Sequence, residues 1–151
     1  MATSESRKPR VFIDADVLFA GSASPTEHGA SLTILRMSEI TLIDAITSTQ
    51  VIIEAERNLT AKLPATLTTF RLLVHRCLRV VPAPDAAELA QYKGLADPKD
   101  LPILVSVIQQ ECAWLVTLNG RHFRPGYPSV LVMTPGELVQ RVRYLLSDLN
   151  P

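Results

Sequence analysis

Five short apolar runs, each followed or preceded by a segment of helical length, constrain this chain most. Val11-Phe12-Ile13, Leu42 to Thr47, Leu78 to Val81, Trp114 to Thr117 and Val130 to Val132 are continuous rather than alternating. Runs of that kind mark strands covered on both faces. Between them, Ala30 to Met37 carries Leu32, Ile34 and Leu35 at helical spacing, and Ser48 is placed to cap a helix reaching Lys62. Pro64 opens a further predicted helix ending near His75, and Pro84 or Asp85 starts a short one carrying Leu89 and Tyr92. Asp100 to Cys112 reads as a long helix, and Thr134-Pro135 begins a last one reaching Leu146. Strands alternating with helices predict an α/β fold, a three-layer αβα sandwich around a central, mostly parallel five-stranded sheet. Residues 1–10 are expected to be a flexible segment, and 11–147 one domain.

Composition narrows the function. Lysine plus arginine and aspartate plus glutamate both number 15, so the net charge is +0. Bulk charge therefore cannot hold nucleic acid, and any such contact must come from a local patch or a bound cation. Cys77 and Cys112 have no Cys or His at zinc-ligand spacing and read as buried thiols in a reducing compartment. His28, His75 and His122 share no regular spacing. The basic stretch Arg7-Lys8-Pro9-Arg10 is followed by an apolar run that Asp14 and Asp16 interrupt, unlike a signal peptide, and no stretch approaches the ~20 apolar residues of a membrane span. The expected location is the cytoplasm, with no membrane partner.

The acids give the chemistry. In an open parallel sheet, ligands bind beyond the carboxyl ends of the strands, where the strand order reverses. Asp14 and Asp16 end the first predicted strand, Asn119 follows the fourth, Asp97 and Asp100 lie at the start of the helix feeding that strand, and Glu54 sits on the helix after the second. One fold can bring these to a single edge. Clustered carboxylates repel unless a cation sits among them, and hard oxygen ligands suit Mg2+ or Mn2+. Such an ion polarises a phosphoryl oxygen and activates water, which is phosphodiesterase chemistry. Each acid also has a plainer reading. Asp14 and Asp16 suit a turn, Asp97 before Pro98 suits a turn, and Asp100 suits a helix cap. On α-helical periodicity Glu56, not Glu54, lies nearer the apolar stripe of Val51, Ala55 and Leu59.

Phe12-Ile13-Asp14-Ala15-Asp16-Val17-Leu18 resembles the opening of PIN domains, commonly apolar-apolar-Asp-Thr-Asn-Val-Leu. Ser48 to Leu59, Asp97 to Leu104, Leu115 to Phe123 and Val132 to Leu138 resemble the later blocks of that family in its order. The resemblance spans residues 11 to about 140 and is nearest to toxin components of toxin–antitoxin systems, the VapC-like proteins. It implies a metal-dependent endoribonuclease whose catalytic carboxylates fall on Asp14, Glu54 and Asp100, with Asp97 as a further ligand of Mg2+ or Mn2+. Asp16, Thr117, Asn119 and Arg121 then stand where substrate would be bound. RNA is the implied substrate, a protein antitoxin the implied partner, and a homodimer the implied assembly. The pattern departs at two places. Asn119 replaces the usual fourth acid, and Asp16 replaces a common Asn, so that either a charge has moved to Asp16 or catalysis is weakened. The alternative reading is accordingly a PIN-like module that binds RNA or protein. Asp14-Ala15-Asp16 also resembles the nucleophile motif of haloacid-dehalogenase phosphatases, but the later Gly-Asp-x-x-x-Asp block is missing.

Overall fold

In the computed structural model, residues 8–23 and 29–148 are described, so His28 and most of the expected flexible N-terminal segment lie outside them. The strands are β1 (Arg10–Ile13), β2 (Asp44–Ser48), β3 (Arg79–Val81), β4 (Trp114–Val116) and β5 (Leu131–Met133). The helices are α1 (Ala15–Ala23), α2 (Ala30–Glu39), α3 (Thr49–Lys62), α4 (Leu67–Cys77), α5 (Ala86–Ala90), α6 (Leu101–Gln109) and α7 (Pro135–Ser147). Single 3-10 turns occupy Pro64–Thr66 and Gly120–Phe123.

All five strands run parallel in the order β3-β2-β1-β4-β5, so the expected sheet is wholly rather than mostly parallel among the described residues. The order steps outward from β1 through β2 to β3, then crosses back to β4 and β5. Right-handed crossovers therefore put α1 to α4 on one face and α5 with α6 on the other. The packing divides the same way: α1 touches α2, α3 and α4, α2 touches α7, and α5 touches α6. Val11, Phe12 and Ile13 in β1 are fully buried, as are Leu115 and Val116 in β4, because both faces of these central strands are covered. The reversal of strand order falls between β1 and β4, and the crevice beyond their carboxyl ends is the fold's binding position.

Local chemistry accounts for most boundaries. Ser48 caps α3 by accepting from the Val51 N–H, Asp85 caps α5 through Glu88 N–H, and Thr134 caps α7 through Glu137 N–H. Three expectations need correction. α1 begins immediately after Asp14, so Asp16 lies in a helical first turn rather than at a strand end; its short run of Val17, Leu18 and Phe19 carries little helical periodicity to announce it. β2 starts at Asp44, not Leu42, because Thr41 turns left-handed (φ 66°) and the Leu42 N–H returns to the Met37 carbonyl to close α2. α6 stops at Gln109 rather than Cys112 for the same reason: Glu111 takes φ 55° and the Cys112 N–H returns to the Val107 carbonyl. Cys77 and Cys112 are both free and buried, and burial pushes the Cys112 thiol up to about 12.

Thr41 is β-branched and held where L side chains crowd the backbone. Thr41→Gly is expected to raise stability by roughly 1 kcal/mol, the relieved crowding outweighing the added freedom of the unfolded chain. Urea unfolding checks this; a lower midpoint in the variant would contradict it.

Candidate metal and catalytic site

The site is built outward from the end of β1. The Asp14 N–H donates to the Val116 carbonyl at 3.1 Å, so the strand pairing of β1 and β4 extends one step past the assigned strands and fixes Asp14 at the sheet's rim. Its carboxylate accepts from the Ala15 N–H at 2.7 Å and from the Thr117 hydroxyl at 2.8 Å. Thr117 is itself buried at the end of β4. Burial chiefly, and next the neighbouring Asp16 carboxylate, push the Asp14 carboxyl up to about 7, with Glu54 adding to the rise and the two donors opposing it.

Asp16, in the first turn of α1, reaches across to the segment after β4. One of its oxygens, Oδ2, accepts from the Leu118 N–H at 3.1 Å and from the Asn119 side-chain amide at 2.9 Å. The Thr117 hydroxyl stands 3.4 Å from the same oxygen, but its proton is directed to the closer Asp14. The other oxygen, Oδ1, is buried with no hydrogen-bond partner among the described residues. Burial again raises the carboxyl pKa. The two positions that depart from the PIN pattern, 16 and 119, are thus bonded to each other.

Glu54 faces the same cavity as Asp14 and Asp16, whereas Glu56 points away and pairs with Arg71 at 3.1 Å. Periodicity favoured Glu56 because it weighs a helix face against the core alone; the sheet rim beside α3 is a second surface that periodicity does not register. On the opposite wall, Asp100 stands at the N-cap of α6 but its side chain caps nothing. It turns instead to His122, with Oδ2 3.3 Å from Nδ1. Burial raises the Asp100 carboxyl and His122 opposes that rise. Asp97 is held by its N–H on the His122 carbonyl (2.9 Å) and by the Asp100 N–H on its own carbonyl (2.8 Å).

Asp14, Asp16, Glu54, Asp97, Asp100, Asn119 and His122 therefore line one cavity of about 280 Å³, joined by Asn58 and by a single cation, Lys99. Their spacing differs from the simplest expectation. Among the described residues the set of three acids or histidines with ligand atoms all within 4.8 Å is Asp97, Asp100 and His122, not Asp14, Glu54 and Asp100. His122 is the residue that ligand reasoning from the sequence missed, since its partners lie over twenty positions away. The wider carboxylate ring suits a hydrated divalent ion, because Mg2+ keeps several waters in its shell. The donors fit: five carboxylates face one ammonium group, and a buried Asp16 oxygen has no partner. Arg121 is placed elsewhere, on a neighbouring cleft of about 490 Å³ with Thr117, Arg124 and Tyr127.

Comparison with known proteins agrees with the architecture. The PIN domain family profile matches residues 10–121, well over half of the chain, and the protein belongs to the PIN domain family. No curated protein matches the sequence significantly. Among solved structures, VapBC2 from Rickettsia felis bound to a promoter DNA fragment superposes with TM-score 0.61 at 15% identity, over 83% of this chain and 98% of that one. A protein from Pyrobaculum aerophilum superposes with TM-score 0.64 at 16% identity, over 91% and 98%. VapC20 of Mycobacterium tuberculosis, a toxin that cleaves the sarcin–ricin loop, gives 0.50 at 15% identity, over 70% and 86%. At such identities the likeness establishes a shared fold.

Without metal, the raised Asp14 pKa has a fixed sign. The unfolded carboxyl ionises near 3.8 and the folded one near 7, so the folded state holds a proton that the unfolded state has lost between those values. Its contribution to stability then falls by up to a few kcal/mol as pH rises from about 4 to about 7. Thermal melts of the metal-free protein are expected to drop across that window, and Asp14→Asn to lessen the drop. A gap between wild type and variant that stays constant with pH would contradict the assignment.

Proposed function

We propose that this protein is a metal-dependent endoribonuclease, the toxin of a toxin–antitoxin pair, with Asp14, Glu54, Asp100 and Asp97 gathering Mg2+ or Mn2+. One observation carries the reading: carboxylates from the end of β1, from α1, from α3 and from the entry to α6 converge on a single cavity at the sheet's switch point, and Asp14 is buried there with no cationic side chain within 4.0 Å among the described residues. The bound ion would polarise the phosphoryl oxygen and supply an activated water. The protein's own groups do the rest. Thr117 and the Ala15 N–H hold the Asp14 carboxylate in orientation. Asp16 is fixed by the Leu118 N–H and by Asn119, and among the described residues its other oxygen has no partner. Asn119 gives one of its two amide N–H groups to Asp16, and its carbonyl oxygen would serve as a neutral ligand.

That last contact favours relocation of charge over loss of catalysis. An Asp at 16 bonded to an Asn at 119 carries the same net charge as the Asn and Asp that the PIN pattern more often places there. Arg121 and Arg124, on the adjoining cleft, are suited to the departing strand of RNA. A protein antitoxin would silence the site by inserting a cationic side chain among the acids, and charge complementarity makes that the simplest occlusion. The proposed place of action is the cytoplasm, on RNA, by a protein working as a homodimer. Among the described residues no helix is long and apolar enough to cross a membrane.

With Mn2+, the wild type is expected to cut single-stranded RNA, Asp14→Asn to lower the rate at least about 100-fold, and Glu56→Gln to leave it nearly unchanged. Equal cleavage by Asp14→Asn would remove the assignment. A second series distinguishes the enzyme from a non-catalytic module: Asp16→Asn is expected to lose most activity and the exchange Asp16→Asn with Asn119→Asp to regain it. Full activity in Asp16→Asn alone would show that the charge at 16 is idle.

A further inference from the structure

A second cavity, of about 400 Å³, lies against the acidic one and shares Glu54, Asn58 and Lys99 with it as a common wall. Its character is opposite. Arg57 and Lys99 bring two cations, Gln50 and Asn58 bring amide donors, and Glu54 is its one carboxylate. Arg57 follows Glu54 by three residues on α3, about 4.5 Å along the axis and on nearly the same face. That spacing commonly pairs an acid with a base, yet Glu54 faces the acidic cavity and the pair is not made. Within the described residues no carboxylate lies within 4.0 Å of Arg57 or Lys99, whereas Arg36, Arg71 and Arg79 are each engaged by one and Arg10 by two. Two cations without a carboxylate partner, beside a recessed acidic centre, form a local anion-binding surface in a chain that carries no net charge.

Resting on the ribonuclease reading, we propose that this cavity is a phosphate subsite, in which Arg57 and Lys99 grip the RNA backbone next to the phosphodiester that is cut. A polynucleotide suits both cavities together, since it presents one phosphate to the metal centre and another to the cations one helical turn away. Lys99, on the wall between them, touches the boundary of both. The acid cluster sets where the chain is broken, and the cationic pair sets which register of the backbone is held there. Gln50 and Asn58 add donors for phosphate or ribose oxygens.

Arg57→Ala, Lys99→Ala and the double variant separate this from a structural role. The control is Arg76→Ala, which lines a cavity with Arg10 and Arg79 at the other end of the sheet. In Mn2+-dependent cleavage of a labelled single-stranded RNA, Arg57→Ala is expected to raise KM roughly 5- to 10-fold with kcat within about twofold, and Lys99→Ala to raise KM by a similar factor. Fluorescence anisotropy with the same RNA in Ca2+ reads binding without requiring cleavage. There the slope of log affinity against log salt is expected to shrink by about 0.7 per cation removed. Unchanged affinity and slope in the double variant, or no RNA binding by the wild type, would overturn the subsite and leave the pair to an acidic protein segment. Binding with the expected slopes but no hydrolysis by the wild type would instead overturn the nuclease assignment and keep the subsite.

Discussion

The Asp14 carboxylate, closed in between the ends of the two central strands, is the contact on which the rest of the site depends. Its backbone N–H completes the β1–β4 pairing, and its side chain is held by Thr117 at the end of β4. The same two strands thus define both the sheet's centre and the position of the most buried acid. A carboxylate in that location is unfavourable by itself, because desolvation and two further acids oppose its charge. Everything nearby either offsets that cost with a directed donor or adds to the demand for a cation.

The demand is distributed unevenly. On the β1–β4 side, Asp14 and Asp16 share Thr117 and the turn after β4, forming a rigid hydrogen-bonded unit. On the α6 side, Asp97, Asp100 and His122 form a tighter group fastened by backbone bonds between the α6 entry and the 3-10 turn after β4. Glu54 belongs to neither and approaches from α3. A cation bound between these two walls and one long side chain would meet groups whose positions are mostly settled beforehand. Such preorganisation would let charge stabilisation act on a bound phosphate without rearrangement. The cations that would receive an anionic substrate flank this centre on both sides, Arg57 and Lys99 on one and Arg121 with Arg124 on the other. Local arrangement thus supplies what net charge does not.

The strands, most helix starts and the order of the acidic blocks were legible because they depend on local chemistry: apolar runs, a Ser, Asp or Thr at a cap, and Pro at a first turn. α1 was not, since its residues are buried enough to blur any amphipathic period. The ends of α2 and α6 were missed because left-handed Thr41 and Glu111 replace the Gly that normally signals such a stop. Within the site, Asp14 could be placed from the run that precedes it, and Asp100's freedom from capping could not.

By itself the sequence determined the α/β class, the five strands and the set of acids available for chemistry, since hydrophobic period and residue type act over neighbouring positions. Tertiary structure alone decided that Asp16 is bonded to Asn119 and that His122 closes on Asp100, and it brings into the cavity Glu54, to which the family spacing pointed, rather than Glu56, to which the helical period pointed. Each of those outcomes depends on where a second or third element passes, and contacts between residues a hundred positions apart leave no trace in local spacing.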